Sequence, residues 1–427
     1  MSRINSYRFR ALHSLLLVGL FAIALVTSTA VPVLTASAST SGSGTTTDSI
    51  KPARRKTPTP SPVPSATPTP RPAASATPTP SPAPSGTPTP IPGTSFQGLG
   101  QMPGTTSAGT QAFGISGDGT TIVGAGWVSS TAQEAFRWTV AGGYQRLGDL
   151  GGGNSIADAA SFDGSVVVGS SPPPGATSGS FRWTATQGMM AVPVGYPNAV
   201  TDDGTMVAGS NAWWKTSGQT GNFGGGSCSA PQAPLGMVDL SADGSVAAGS
   251  GAGGLDMFGQ QATNAYRSTP AGSCQDIDAV FNRNSDASGI SADGLAIVGE
   301  AQDAQGHYRA FRWTASTGMV DLGTLGGGNL LSNALATSRD GSVVVGTSLT
   351  TTSSASNHAF VWMTRCGMLD LNTVLKSQIP RGWILQVATD ISEDGAVITG
   401  YGISPPPPGS NFGETEPWRA VLPVPPC

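Results

Sequence analysis

The feature that most constrains the fold of this chain is a short phrase that recurs seven times. Each copy has a serine or threonine, then any residue, then Asp-Gly. Successive aspartates lie 45, 40, 40, 50, 47 and 54 residues apart. A repeat of this length is typical of propeller blades and related repeat architectures. The seven aspartates are Asp118, Asp163, Asp203, Asp243, Asp293, Asp340 and Asp394.

Each copy of the phrase opens the same pattern of strands. A β-branched run ending in glycine follows it, such as "SVVVG" (165–169), which indicates a buried strand. Asp-Gly predicts a tight hairpin turn, because both residues tolerate positive φ. After a variable stretch comes an aromatic strand such as "AFRWT" (135–139), then a glycine turn and a fourth strand such as "GMVDLG" (318–323). Four strands per repeat predict a four-stranded propeller blade.

The third repeat departs from this pattern. Its aromatic strand is either "AWWKT" (212–216) or "NFGGG" (222–226), and in the second case the tryptophan pair lies on a loop. The sequence leaves the two alternatives open.

The two ends of the repeat region predict how the propeller closes. The last repeat stops after the aromatic strand around Trp418, without a fourth strand. Residues 94–100, "TSFQGLG", look like that missing strand. We therefore expect an all-β, seven-bladed β-propeller of four-stranded blades, with its last blade completed by N- and C-terminal strands. Such closure removes the exposed sheet edges that invite aggregation.

The residues before the repeats indicate export. Residues 1–38 predict a signal peptide, with a basic start, an apolar run at 14–26 and a small-residue cleavage site after Ala38. An uncleaved anchor extending to Leu34 is the alternative. Residues 39–93 predict a disordered Pro/Thr/Ser-rich linker, and residues 94–427 the propeller. We expect a secreted or cell-surface, wall-associated protein with no membrane span after signal cleavage.

Charge argues against nucleic acid as a partner. Eight of the 21 Lys and Arg residues, but only one of the 25 acids, precede residue 94, which leaves a net charge of −11 on the remainder. Nucleic-acid binding requires a basic face. Charged residues make up only 11% of the chain, well below the roughly 25% usual in soluble domains.

The four cysteines of an exported chain indicate disulfide bonds rather than metal ligation or catalysis. Three connectivities are possible, and we favour a bond between neighbouring blades for each pair. The expected pairs are Cys228–Cys274 and Cys366–Cys427.

The repeats resemble the extracellular HAF-repeat family, named for a His-Ala-Phe phrase. "NHAFVW" (357–362) contains that phrase literally, and "GMVDLGTLGGGN" (318–329) is similar to the segment that follows it in the family. The resemblance covers 96–427. It implies an extracellular β repeat domain, without a specific activity.

Candidate binding residues come from the variable connections between second and third strands, because loops on a rigid scaffold carry most binding functions. The aromatic residues on or beside these connections are Trp127, Trp213, Trp214, Phe258 and Tyr308. Each either stacks on a ligand or packs against its own loop. The seven aspartates are interpreted as structural turn residues. The arginines of the aromatic strands are interpreted as bonding neighbouring carbonyl groups or those aspartates.

The sequence contains no catalytic constellation, metal site or cofactor motif that we can identify. We therefore expect a monomeric, non-catalytic scaffold that binds an extracellular glycan or protein through the variable loops. A polysaccharide-degrading hydrolase or lyase with acids at the central mouth is one alternative, and a purely structural surface repeat is another.

Overall fold

The computed structural model describes residues 93–106, 109–210, 212–223, 236–255, 261–278, 284–353, 356–410 and 412–422. These residues form seven four-stranded antiparallel sheets, each one a propeller blade. In every blade the strands are hydrogen-bonded in chain order, apart from the strand that closes the last blade.

The first three blades follow one another directly along the chain. Blade 1 contains β2 (Thr110–Ile115), β3 (Thr121–Trp127), β4 (Gln133–Thr139) and β5 (Gly143–Gly148). Blade 2 contains β6 (Ile156–Ala160), β7 (Val166–Ser170), β8 (Ser180–Thr184) and β9 (Gly188–Ala191). Blade 3 contains β10 (Pro197–Val200), β11 (Met206–Gly209), β12 (Ala212–Lys215) and β13 (Thr220–Asn222).

The next three blades have the same order of strands. Blade 4 contains β14 (Gly236–Leu240), β15 (Ala247–Leu255), β16 (Gln261–Ser268) and β17 (Cys274–Asp276). Blade 5 contains β18 (Ser285–Ile290), β19 (Ala296–Gln302), β20 (Tyr308–Thr314) and β21 (Gly318–Asp321). Blade 6 contains β22 (Ser332–Thr337), β23 (Val343–Leu349), β24 (Asn357–Met363) and β25 (Gly367–Asp370), and helix α1 (Leu371–Val374) follows it.

Blade 7 joins the two ends of the propeller, as predicted. Its first three strands are β26 (Ile384–Ile391), β27 (Val397–Ile403) and β28 (Thr415–Val421), and its outer strand is β1 (Ser95–Gly98). The pairing places Phe96 opposite Ala420 and Gly98 opposite Trp418. The Phe96 ring packs edge-on against Trp383, with 5.2 Å between the ring centroids. The prediction of a closed, seven-bladed propeller is therefore confirmed.

The recurring Ser/Thr-x-Asp-Gly phrase forms the turn between first and second strands in all seven blades. In blade 6, Ser338 Oγ accepts a hydrogen bond from Val343 N–H and donates one to Asp340 Oδ1, both at 3.0 Å. Asp340 Oδ1 also accepts from Ser342 N–H at 2.9 Å. The other six blades repeat this set of bonds, so the aspartates are structural turn residues as predicted.

The Asp-Gly phrase forms a tight turn, as predicted. Only the glycine has positive φ, as at Gly341 with +69°, and no aspartate of the phrase does. Gly341 N–H donates to the Ser338 carbonyl at 3.0 Å, which is the pattern of a type I turn followed by a left-handed glycine. The aspartate side chain bonds the backbone two residues on, and this supports the ordinary right-handed conformation at the aspartate.

The second residues of the seven phrases tie the blades together around the axis. Backbone N–H groups of one turn donate to the carbonyl group of the neighbouring turn, at 2.8 to 3.1 Å, and the seven bonds form a closed ring. Five donors are second residues of the phrase, and two are the adjoining aspartates Asp118 and Asp293. The acceptors are Gly117, Phe162, Asp202, Ala242, Ala292, Arg339 and Glu393.

Arginines of the third strands also link neighbouring blades. Arg137, Arg182 and Arg312 each donate to the carbonyl group of the phrase glycine in the next blade, at 3.1, 3.2 and 2.6 Å. For these three arginines, the prediction that they bond neighbouring carbonyl groups is confirmed, and they are part of the scaffold. Burial lowers the pKa of Arg182. It also lowers the pKa of Arg312, although the charges of Asp340 and Asp293 act in the opposite direction.

Blade 3 settles the alternatives that the sequence left open. Strand β12 contains Trp213 and Trp214 and pairs with β11, so "AWWKT" supplies the aromatic strand and the alternative with "NFGGG" is wrong. Trp214 packs on the valines of the interface with blade 2, and Trp213 packs with Leu240 and Tyr266 of blade 4.

The apolar core lies between blades. Buried valines, isoleucines and alanines of the inner strands and aromatic residues of the third strands form separate clusters at successive blade interfaces. No helix in the described part of the chain is both long and apolar enough to span a membrane.

Candidate functional site

The strand order gives the disc two different faces. The turn face has the seven uniform turns between first and second strands, together with the turns between third and fourth strands. The loop face has the connections between second and third strands and the crossings between blades, which vary in length and sequence. Binding loops on a rigid scaffold are expected on the variable face.

The centre of the turn face contains an ionic cluster. The second residue of the phrase is Asp202 in blade 3, Arg339 in blade 6 and Glu393 in blade 7. Arg339 Nη2 pairs with Glu393 Oε2 and lies 3.4 Å from Asp202 Oδ2. Burial raises the pKa of Glu393 to about 7, and the Asp202 carboxylate adds to the rise while Arg339 opposes it. Two acids and one arginine from blades 3, 6 and 7 therefore meet at the axis.

This ionic cluster lies at the ring of backbone hydrogen bonds described above, whose members include the same three residues. Phe162, another member of the ring, keeps 40% of its surface exposed beside them. The side chains of Asp202, Arg339 and Glu393 connect blades 3, 6 and 7, so their main role is to stabilise the ring of backbone hydrogen bonds.

The loop face presents exposed aromatic side chains. Phe412, in the connection between β27 and β28, is 80% exposed, and Tyr196, in the crossing into blade 3, is 47% exposed. Tyr196 has φ of +42°, and Ser210 nearby has φ of +51°; they are the only described residues other than glycine with positive φ. Strained backbone of this kind is often found at binding sites.

Blade 5 places two carboxyl groups and a tyrosine side by side near the loop face. Asp286 of β18 pairs directly with Glu300 of β19, and Tyr308 of β20 pairs with Gln302. Paired residues share a face of the sheet, and side chains alternate along a strand, so all three lie on one side. We call Asp286, Glu300 and Tyr308 the acid–tyrosine cluster.

The side of blade 5 that holds this cluster is the side that faces blade 6. Val298 is two residues from Glu300 and Ala310 is two residues from Tyr308, so both lie on the same side of the sheet as the cluster. They pack against Ala334 and Val344 of blade 6. Asp286, Glu300 and Tyr308 each keep partial exposure to solvent. The cluster therefore lies at the outer end of a blade interface, within reach of solvent.

Burial and the neighbouring charge favour the neutral form of Glu300. Burial raises the pKa of its carboxyl group to about 8, and the Asp286 carboxylate adds to the rise. Burial also raises the pKa of Tyr308, with contributions from Glu300 and then Asp286. Repulsion between carboxylates that lie opposite each other disfavours the charged form, in the same direction as burial.

The connection after β19 fixes the position of Tyr308. Asp303 Oδ1 accepts hydrogen bonds from Gln305 N–H and His307 N–H, both at 2.9 Å, and Arg309 Nε lies 3.3 Å from its other oxygen. Burial alone would raise the pKa of Asp303, but these bonds outweigh it and lower the pKa to about 2. The turn that precedes Tyr308 is therefore held by a permanent charge.

The aromatic residues predicted to bind a ligand lie in different environments. Trp127 ends β3 at the loop face and is half-buried, and Tyr308 belongs to the acid–tyrosine cluster. Trp213 and Trp214 pack between blades, as described above. Phe258 lies outside the described residues.

Histidines and cysteines have partners of their own. His307 Nδ1 lies 3.3 Å from Asp303 Oδ2, and His358 Nδ1 lies 2.7 Å from Asp370 Oδ2, a bond that raises the pKa of His358. Neither Cys274 nor Cys366 is a free thiol. Cys228 and Cys427 lie outside the described residues, so the predicted disulfide pairing stays a prediction.

Metal binding has no support in the described ranges, where no group of three or more His, Cys, Asp or Glu side chains is placed to hold an ion.

Sequence reasoning missed Tyr196, Phe412, Asp286 and the central charges at Asp202, Arg339 and Glu393. The second residue of the phrase varies freely along the chain, and only the ring brings its charged members together. The Asp-Gly turn identified both strands that contain Asp286 and Glu300. The sequence did not show that these two residues lie opposite each other.

No family model and no curated protein matches the chain. Among solved structures, TolB from Agrobacterium tumefaciens has 12% identity and a TM-score of 0.41, over 78% of this chain and 98% of that one. The β-propeller domain of the Trilobed protease from Pyrococcus furiosus has 8% identity and a TM-score of 0.47, over 72% and 95%.

TolB from Acinetobacter baumannii has 13% identity and a TM-score of 0.34, over 59% of this chain and 51% of that one, so this chain spans about half its length. At these scores the similarity has no bearing on what this chain binds. The resemblance to HAF repeats stays a prediction.

Proposed function

We propose that the protein is an exported, cell-surface or wall-associated scaffold that binds an extracellular glycan with its loop face. The observation that supports this most is the contrast between the two faces. Uniform turns and a ring of hydrogen bonds occupy one face, while the variable connections and the exposed Tyr196 and Phe412 occupy the other. Exposed aromatic rings beside polar groups are suited to stacking on sugars.

The first 93 residues support the surface location in this proposal. A signal peptide followed by a Pro/Thr-rich linker would place the propeller away from the membrane, because extended proline-rich chain spans about 3.1 Å per residue. Resemblance to extracellular HAF repeats points to the same compartment. Fractionation of the cells that produce the full chain would test this part, and recovery from the cytoplasm alone would refute it.

A glycan array with the purified full chain would test the binding function. We expect one class of glycan to bind, and Phe412→Ser to weaken that binding by at least about fivefold, since one stacking contact contributes on the order of 1 kcal/mol. Leu295→Ser is the matched control, because Leu295 is 64% exposed on the turn face. Equal loss in both variants would contradict binding by the loop face.

A polysaccharide-degrading enzyme with acids at the central mouth is the second candidate. Asp202 and Glu393 meet there, and the raised pKa of Glu393 is a property that general acids share. The Arg339 pairs and the hydrogen-bonded ring give those acids a structural purpose, which favours the scaffold. Release of reducing sugars from polysaccharides, abolished by Glu393→Gln, would favour the enzyme. Absence of both binding and turnover would favour a purely structural protein.

A further inference from the structure

The first strands of the seven blades, which surround the axis, all contain a β-bulge at the same place. Each first strand contacts the first strands of both neighbouring blades, so the seven form a closed ring around a central channel. In every blade one residue, three positions before the serine or threonine of the phrase, is left out of the pairing with the second strand. A β-bulge redirects the side chain of such a residue. The unpaired residues whose side chains are described are Phe113, Asp158, Asn198, Ser288, Leu335 and Thr389.

The bulges point these six side chains toward the axis. In blade 1, Ala112 packs in the cluster that contains Val397 of blade 7. On the other side of the bulge, a Cβ atom at Gly114 would lie 2.6 Å from the Asp158 carbonyl oxygen of blade 2. Phe113 therefore faces neither neighbouring blade, and the second strand of its own blade lies on the side away from the axis. All six side chains keep partial exposure, as groups that line a channel do.

Side chains cross the turn-face end of this channel. Arg339 of blade 6 reaches Asp202 of blade 3 on the opposite side of the ring, with 3.4 Å between Nη2 and Oδ2. A Cβ atom at Gly117 would lie 2.5 Å from Phe162 Cδ2 and 3.2 Å from Glu393 Cδ, so these two side chains converge there as well. A ligand of the channel therefore has to enter from the loop face.

The channel lining has the chemistry that a sugar residue requires. Neighbouring blades 1, 2 and 3 contribute a phenyl ring, a carboxylate and an amide group, from Phe113, Asp158 and Asn198. The two polar side chains already take part in interactions within the protein. A carboxylate can accept about four hydrogen bonds, and an amide group both accepts and donates, so both can also bond sugar hydroxyl groups. Apolar walls with a few convergent polar groups are typical of small-ligand sites.

We propose that the channel binds the terminal sugar residue of the glycan recognised by the loop face. This inference rests on the proposed glycan-binding function and specifies the part of the glycan that is bound. The ring of Phe113 packs against the sugar, while Asp158 and Asn198 bond its hydroxyl groups, and the rest of the chain leaves through the loop face. Because the turn-face end is occupied, the end of a chain fits and the interior of a chain does not.

The test is isothermal titration of the full chain with cellohexaose, xylohexaose and mannohexaose. Each is used uncapped, with a bulky group on its non-reducing end, and with the same group on its reducing end. If the array identifies a different glycan, a short oligomer of that glycan is capped in the same two ways. We expect one of the two caps to weaken binding by at least about tenfold, since the blocked end cannot enter the channel.

Two substitutions in the channel should weaken binding of the uncapped oligomer. Phe113→Leu removes the aromatic ring and should cost at least about fivefold in affinity. Asp158→Asn removes a charged acceptor and should cost at least about tenfold. Met190→Ser is the control and should change nothing, because Met190 is 51% exposed on the outer strand of blade 2. Chemical denaturation would show whether each variant keeps its fold, and the capped oligomers test the unaltered chain.

Equal affinity for capped and uncapped oligomers would overturn the proposal, as would unchanged binding by both channel variants. If glycans bind in the array but neither cap matters, the channel site fails and the loop-face function stands. If no glycan binds, both fail. A peptide that binds in a Phe113-dependent way where no glycan does would overturn the sugar as the occupant.

Discussion

The turn face and the loop face are made of the same repeat, yet their residues obey different constraints. On the turn face, every blade repeats the same buried serine or threonine, the same aspartate and the same left-handed glycine. On the loop face, neighbouring blades share little beyond the strands themselves. The turn face therefore maintains the ring of backbone hydrogen bonds. The loop face takes no part in that ring, so its sequence is free to vary.

The two faces also treat pairs of acids differently. Asp202 and Glu393 share the guanidinium group of Arg339, and the pKa of Glu393 rises to about 7. Asp286 and Glu300 face each other without an arginine among the groups that shift Glu300, whose pKa rises to about 8. Arg339 therefore opposes the rise in the pKa of Glu393, whereas the Asp286 carboxylate adds to the rise in the pKa of Glu300.

Substituting a glycine on each face should break this contrast most strongly. Gly341 (turn face, φ +69°) leaves no room for a methyl group, which would overlap Ala296 and crowd Arg312. Gly306 (loop face, φ +86°) has open space around it. We expect Gly341→Ala to lower the free energy of unfolding by on the order of 3 kcal/mol, and Gly306→Ala by about 1 kcal/mol from backbone strain alone. Chemical denaturation would measure both, and equal losses would remove the distinction between the faces.

The serine of the phrase should have the next largest effect. Ser338→Ala leaves the buried Val343 N–H without its acceptor and removes a donor to Asp340. We expect a loss of about 2 kcal/mol, the usual penalty for an unsatisfied buried group.

Ser342→Ala is the control, because Ser342 is exposed in the same turn, and it should change stability by less than about 0.5 kcal/mol. A loss for Ser338→Ala no larger than the control would show that the phrase is retained for another reason.

The sequence predicts the fold of this protein better than it predicts the candidate site. Strands, blade number and closure were predictable because they depend on local periodicity and on a phrase whose residues bond one another within six positions. Glu300 was visible as an acid, but its partner Asp286 lies fourteen positions earlier, and a register shift between Ala287 and Gly289 alters the simple pairing count. Arg339 and Asp202 are 137 positions apart, and only the closed ring brings them together.

The acids should also produce distinct pH profiles of stability. The unfolded chain releases the Glu300 proton near pH 4.5 and the folded protein near pH 8, so the free energy of unfolding falls as pH rises between those values. The carboxyl group of Glu393 has the same effect on the free energy of unfolding between about pH 4.5 and pH 7. We expect Glu300→Gln to flatten the decline through pH 8, and Glu393→Gln to flatten it only below about pH 7.

Denaturant unfolding at pH 5, 6, 7 and 8 would check these profiles. A decline between pH 7 and 8 that persists in Glu300→Gln would show that its carboxyl group does not titrate there.

The smallest effect is expected at the strained residues of blade 3, and it can separate strain from function. Tyr196→Gly and Ser210→Gly each place glycine where φ is already positive, so relief of strain should exceed the added chain entropy and stabilise each variant by about 0.5 kcal/mol. Only Tyr196→Gly removes an exposed aromatic ring from the loop face. If the strain at Tyr196 is tolerated for binding, that variant should lose glycan affinity while Ser210→Gly retains it. Equal affinity in both variants would mean that Tyr196 takes no part in binding, and the glycan contacts would then have to come from Phe412 and other residues of the loop face.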